Sequence, residues 1–278
     1  MIAKNEKEII NKKVKNYWEK PTTVSIIDEN LHKIEIDIAS KYLMKSNYIV
    51  DIGCGEGRAT IEYAKKVRKC VGIEQSNYLL KKAKSAVSKS GLNNIIIKSG
   101  NILKIKNIKN KFDVVITQRL LINLLSWEEQ QECLNNIYNI LKPGGKYIMI
   151  ENTSDSFLAM NEMRNKVGLE SIPQHWHNKF FDYDKLMAFM QGKFQLLKTH
   201  DLGLYYFLTR VYVPMFSSFV GYGAKAVKDP IYERSDRAAR IIFEKFQDNI
   251  KIGDNRVFGP IQVLVFKRGK EYNKANVK

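Results

Sequence analysis

Residues 49–60, IVDIGCGEGRAT, constrain the fold more than any other stretch, because a run of apolar residues passes straight into a turn carrying Gly53, Gly55 and Gly57. Glycine alternating with Cys54 and Glu56 lets the backbone turn sharply and come close to a ligand that a Cβ would hold off. The residues that follow predict a helix over 57–67, whose first N–H groups lack intrahelical partners. A buried strand, a glycine turn and a helix start together make a common grip on nucleotide-like ligands.

The spacing narrows the ligand. Dinucleotide sites use G-x-G-x-x-G, and triphosphate sites end in Gly-Lys-Ser/Thr. This chain has G-x-G-x-G with no Lys-Ser/Thr after it, which argues against a nucleoside triphosphatase. Asp51, just ahead of the turn, would repel a pyrophosphate but not a cationic or zwitterionic ligand.

Further apolar runs follow in a regular order. CVGIE at 70–74 ends in Glu74, about 20 residues past the turn, where one βαβ unit brings a carboxylate to ribose hydroxyls. Residues 94–98 lead to Ser99-Gly100-Asn101, where a side-chain amide would meet an adenine edge. FDVVITQ at 112–118 and LKPGGKYIMIE at 141–151 supply the next two strands, with Pro143-Gly144-Gly145 stopping a helix over 127–141 before a strand over 145–151. A helix over 76–90 places Leu79, Leu80, Ala83 and Ala86 on a core face, with lysines opposite. Short apolar strands alternating with helices predict an α/β fold, a doubly wound, mostly parallel sheet covered on both faces.

These motifs, in this order over about residues 40–152, resemble the class I S-adenosylmethionine-dependent methyltransferases. The resemblance implies a Rossmann-like, seven-stranded sheet, S-adenosylmethionine as cofactor and S-adenosylhomocysteine as product. It implies that Asp51, Gly53, Cys54, Gly55 and Gly57 form the cofactor turn and that Glu74 binds the ribose. Asn101 stands where the family more often has Asp; Gln75, Ile102 and Gln118 complete the expected cofactor contacts. The sheet is expected to close with an antiparallel pair, 193–200 and 261–267.

Two segments outside that pattern, about 152–192 and 202–257, are expected to be helical substrate-cap insertions, with residues 1–40 as an N-terminal helical cap on a domain of residues 41–278. In the first, IPQHWHNKFFD concentrates His175, Trp176, His177 and Asn178. Methyl transfer is an in-line displacement needing alignment and, for a hydroxyl, a base. His177 and His175 are the candidate bases, set against a role in bonding a lid to the core. An H-x-H pair without Cys or acidic neighbours is a poor zinc site, so no metal is expected. Arg119 is read as a ligand for an acidic substrate group or as the partner of a structural carboxylate. Glu151 and Asn152, at the fifth strand's end, are expected to face the same cleft or to cap the next segment. In the second insertion, the aromatic run 202–222 reads as a lid, with Tyr205, Tyr206 and Arg210 as substrate contacts; Arg210 and Pro214 interrupt it as a membrane span. Residues 232–246 read as an amphipathic helix with Ala238, Ile241 and Ile242 on its apolar side.

The formal net charge of +17 suggests a polyanion partner, yet only about ten of the 46 cations are arginine and they are spread along the chain. The densest run, KIKNIKNK at 104–111, reads as a solvated loop. Residues 121–124 and YYFLTR at 205–210 resemble methyltransferases of surface-polysaccharide and other small-molecule pathways, which implies a small polar metabolite or sugar-like acceptor and O-methylation by in-line transfer, with RNA methylation or non-catalytic cofactor binding as alternatives. Three cysteines without metal spacing, and a charged start without a signal-peptide core, fit a cytoplasmic monomer or homodimer.

Overall fold

Every apolar run predicted as a strand forms one in the computed structural model, which describes residues 4–23, 26–104, 111–216, 230–248, 250–252 and 258–269. The strands are β1 (Tyr48–Ile52), β2 (Lys69–Glu74), β3 (Ile95–Ser99), β4 (Phe112–Gln118), β5 (Leu141–Asn152), β6 (Phe194–Asp201) and β7 (Ile261–Arg268). They form one sheet in the order β3-β2-β1-β4-β5-β7-β6. The first five are parallel, and β7 runs antiparallel to both β5 and β6. Chain order reverses between β1 and β4, so a crevice opens at their carboxyl ends, where open α/β sheets bind ligands. The glycine turn leaves β1 at that crevice.

β5 starts earlier than its sequence suggests. The preceding helix ends at Ile140, and Leu141 already pairs with Phe112. Pro143-Gly144-Gly145 is therefore a break within the strand. Gly144 has φ 74°, and a Cβ on Gly145 would lie 2.9 Å from Lys142 O, so glycine is required there.

Helices α1 (Lys4–Trp18) and α2 (Glu29–Ser40) precede the sheet; α3 (Arg58–Ala64), α4 (Asn77–Lys89) and α5 (Trp127–Ile140) cross between strands. α5 starts at Ser126, whose side chain accepts from Glu129 N, and buries Cys133, Leu134, Ile137 and Ile140 at helical spacing. Each such Leu or Ile contributes about 1.5–3 kcal/mol on burial. α4 buries Leu79, Leu80 and Ala83 as expected, while Ala86 is half-buried.

The insertions fold as α6 (Ser154–Lys166), α7 (Tyr183–Met190), α8 (Gly203–Tyr206) and α9 (Pro230–Phe246), with a π-helical turn over Phe207–Tyr212. Much of the described part of the aromatic run is core: Leu202, Leu204, Tyr205, Tyr206 and Val211 are buried in one cluster with Leu31, Ile34 and Ile38 of α2, while Tyr212 and Met215 are exposed. Residues 217–222 of that run, and residues 105–110 of the lysine-rich run, lie outside the described residues. α9 buries Ala239 and Phe243, one turn apart, and leaves Ile241 and Ile242 exposed, which corrects the predicted apolar face. A polar anchor to α2 accompanies that face: Arg240 Nε donates to Asn30 Oδ1 at 3.0 Å, and its Nη1 pairs with Glu244 one turn on in α9 at 2.7 Å. No described helix is long and apolar enough to cross a membrane.

Candidate active site

The glycine turn owes its shape to left-handed backbone at three positions: Gly53, Gly55 and Gly57 have φ 73°, 55° and 79°. The N–H groups of Gly53 and Cys54 both reach Ile73 O, at 2.8 and 3.1 Å, which holds the turn against the end of β2. A Cβ on Gly55 would meet nothing within 4 Å, so this residue presents bare backbone to open space. Gly57 does other work. It caps α3 and packs on α4, where a Cβ would lie 3.2 Å from Ala83 Cβ, and it does not line the cavity.

That cavity, about 1050 Å³ with its mouth, is lined by Asp51, Gly53, Cys54 and Gly55, by Glu74 and Gln75, by Asn101 and Ile102, and by Gln118 and Arg119. Nine of the ten expected cofactor residues thus meet in one space, and Gly57 is the exception. Glu74 is buried; its carboxylate accepts from Gly55 N at 2.9 Å and Ser76 N at 2.8 Å. Burial pushes its carboxyl above the usual range, against those two bonds. Asp51 accepts from Thr60 Oγ1 at 2.5 Å, and burial raises it to about 6, helped by the nearby Glu74 charge. Asn101 Nδ2 donates to Gln75 Oε1 at 2.9 Å, and its Oδ1 accepts from Leu103 N.

The cavity's other wall went unforeseen in detail. Trp18 at the end of α1, Ile26, and His32 of α2 line it, so the N-terminal cap covers the glycine turn. Trp18 O accepts from Ser76 Oγ at 3.0 Å, and the Glu19 carboxylate accepts from Asn77 N and Tyr78 N at the start of α4. The predicted N-terminal helix was the available signal; no spacing ties Trp18 or His32 to the glycine motif.

The expected catalytic and substrate residues are mostly elsewhere. Glu151 is buried away from the cavity, accepting from Leu120 N and Leu121 N at 3.0 Å and Ile122 N at 3.3 Å. It caps the turn after β4, and burial raises its carboxyl to about 7. Asn152 is buried at the end of β5, where its carbonyl accepts from Phe181 N. His177 stacks on Tyr17 with ring centroids 4.3 Å apart, edge-on to Trp18, and His175 stacks on His177 at 5.4 Å. Neither histidine lines the cavity, nor does Asn178, whose N–H bonds His175 O. The HWH segment therefore clasps α1 from outside, because its aromatic faces find Tyr17 and Trp18 first. Tyr205 and Arg210 are also away from the cavity, both bonded to Asp28, the cap of α2, while Tyr206 is buried against Gly259. Among the described residues, no lining residue comes from the two insertions. Arg119 is the one expected substrate contact at the cavity, and it pairs with buried Glu35 at 3.0 Å.

A family profile described as a methyltransferase domain matches residues 44–202, more than half of the chain. The chain belongs to the class I S-adenosylmethionine-dependent methyltransferases. An uncharacterized methyltransferase of fission yeast, Schizosaccharomyces pombe, is 34% identical over 113 residues, 38% of this chain and 40% of that protein. The chain thus spans well under half the length of that methyltransferase. A carboxy-S-adenosyl-L-methionine synthase of Nautilia profundicola is 24% identical over 67% of this chain and 78% of its own. Among solved structures, a Haemonchus contortus phosphoethanolamine N-methyltransferase with phosphoethanolamine and S-adenosylhomocysteine aligns with TM-score 0.58 at 17% identity, over 99% of this chain and 51% of that one. At that identity the methyltransferase fold is what the two share.

The residues present fit the family's cofactor. Gly55 offers a cradle that any Cβ would fill, Glu74 offers a carboxylate at the end of β2, and no Lys-Ser/Thr stands ready for a triphosphate.

Proposed function

We propose that this chain transfers a methyl group from S-adenosylmethionine to a small polar acceptor held inside the cavity. One observation carries the reading: Trp18, Ile26 and His32 of the N-terminal cap line the same space as the glycine turn, so an acceptor sits in a walled pocket of metabolite size. When bound, the cofactor supplies a methyl group activated by a sulfonium. Glu74 would hold its ribose, the Asn101–Gln75 pair its adenine edge, and the Gly53–Gly55 backbone with Asp51 its amino-acid end. The wall formed by Trp18 excludes water from the reacting centre and restricts the acceptor's orientation.

Calorimetry with S-adenosylhomocysteine on wild type and Glu74→Ala tests the cofactor half. Losing a charged hydrogen-bond acceptor of about 1.5–3 kcal/mol predicts affinity roughly 10- to 100-fold weaker. Absence of binding by wild type overturns the reading, and equal binding removes Glu74 from the site. Label from methyl-tritiated cofactor, incubated with cell extract, is expected in the small-molecule fraction. Label in RNA, with binding that falls steeply as salt rises, would move the acceptor to nucleic acid.

A further inference from the structure

Glu35 of α2 is fully buried and organises one wall of the cavity without lining it. Arg119 Nη1 pairs with Glu35 Oε1 at 3.0 Å, and Gln118 Nε2 donates to Glu35 Oε2. The same Gln118 nitrogen lies 3.0 Å from His32 Nδ1. Turning the amide over would set its oxygen against the carboxylate, so the nitrogen faces Glu35 and its second hydrogen goes to His32 Nδ1. His32 Nδ1 is 3.7 Å from Glu35 Oε2, too far for a competing hydrogen bond. With Nδ1 accepting, the neutral ring carries its proton on Nε2. Nε2 is buried with no partner among the described residues, and His32 lines the cavity. The Nε2–H is therefore a buried, unsatisfied donor at this wall, and a base is lacking at this atom; His32 also lines a neighbouring pocket with Glu29, Lys33 and Arg240.

Arg119 stands beside it. Its φ of 51° makes it the only non-glycine residue with left-handed backbone among the described residues, and such backbone is unfavourable for arginine. Arg119 N is fixed to Ile150 O at 2.8 Å, and its guanidinium reaches Glu35 while also lining the cavity.

We infer that His32 Nε2–H and the Arg119 guanidinium form a subsite for a carboxylate on the methyl acceptor. The inference rests on the methyltransferase reading and names what its acceptor must carry. A monoanion is repelled less than a dianion: the lining cations Arg119 and Arg58 are already paired with Glu35 and Glu29, and Asp51, Glu56 and Glu74 line the same cavity, so the second charge of a phosphate adds repulsion that a carboxylate avoids. Trp18, Ile26, Leu120 and Leu124 add apolar lining, which suits a carboxylate on an aryl or aliphatic body.

The test uses the full chain saturated with S-adenosylhomocysteine, whose own binding is measured first, so that loss of the cofactor reading is seen separately. Long-range proton–nitrogen spectra of ring-labelled histidines report the tautomer, with His32 identified by loss of its signals in His32→Gln. The expected result is the Nε2–H form at pH 7.5. Benzoate is expected to shift the His32 signals and to bind at least tenfold more tightly than benzyl alcohol or inorganic phosphate, and Arg119→Asn to weaken benzoate at least tenfold. The Nδ1–H tautomer overturns the proposal, as do benzoate and benzyl alcohol binding within twofold of each other. The wild-type spectrum and titrations decide even if Arg119→Asn fails to fold.

Discussion

Trp18 Nε1 donates to Asn123 Oδ1 at 3.2 Å, while the Trp18 carbonyl accepts from Ser76 on the far side of the crevice. One residue thus bridges the segment after β4 and the start of α4, the two rims of the cavity. Trp18→Ala removes an apolar wall and the Asn123 arm of that bridge, and leaves the backbone bond to Ser76 in place. We expect S-adenosylhomocysteine to bind about tenfold more weakly, about 1.4 kcal/mol, with little change in Tm because Trp18 is only half-buried. Calorimetry and thermal unfolding of the same sample separate the two effects; a large Tm loss with unchanged affinity would make Trp18 a packing residue.

Gly55 and Gly57 make a matched pair of substitutions. Both have positive φ, so alanine costs roughly 1 kcal/mol of strain at either position. At Gly57 the new Cβ also presses on Ala83, whereas at Gly55 it points into open space. Gly57→Ala is therefore the more destabilising in denaturant titration, and Gly55→Ala the more damaging to cofactor affinity. The reverse ranking would misplace the cradle.

Acid should loosen the clasp at His177. Burial, with the His175 charge adding to it, lowers its ring from an ordinary 6.5 to about 4. Between those values the unfolded chain takes up a proton that the folded ring refuses, so the contribution is complete above pH 6.5 and is lost as pH falls toward 4. His177→Phe keeps a ring on Tyr17 and removes the titration. Its urea midpoint should fall less than that of wild type between pH 7 and pH 5. His200, also lowered to about 4 by burial, adds a slope of the same sign to both proteins, and the raised carboxyls of Glu151 and Asp51 add one of the opposite sign to both, so the comparison between the two proteins isolates His177. Parallel midpoints for the two proteins would show that His177 does not carry the effect.

Asp28 couples the cap to the second insertion. Burial pushes its carboxyl up, but the Arg210 charge, with bonds from Leu31 N and Tyr205, holds it below the usual range. Arg210→Met strands that buried carboxylate and is expected to cost about 3–5 kcal/mol, lowering Tm by roughly 10 °C in a chain of this size. Tyr205→Phe removes one neutral donor and should cost about 1 kcal/mol. Equal losses for the two variants would mean that packing, rather than the ion pair, dominates.

The strands and the cofactor face were legible because their determinants are local. Gly53, Gly55 and Asn101 follow a strand and Glu74 ends one, at spacings set by the βαβ units, and the structure gathers them. The donor wall was illegible for the opposite reason: Gln118 meets His32 and Glu35 more than 80 residues away in sequence, and nothing near either end marks the encounter. Aromatic density misled at Tyr205 and Tyr206, since rings that roof a site and rings that fill a core have the same composition. Their contact with α2 shows which they are.

Among the described residues β6 is an edge strand whose one hydrogen-bonded neighbour is β7, and β7 follows it by some 60 residues in the chain. During synthesis β6 must wait, unpaired, until that later strand arrives and slots between it and β5. The intervening helices, which bury Asp28 and pack on α2, are anchored at one end only through that interval. A chain lacking β7 would therefore leave the β6 edge unpaired and the cap over the cavity unsecured, far from the glycine turn.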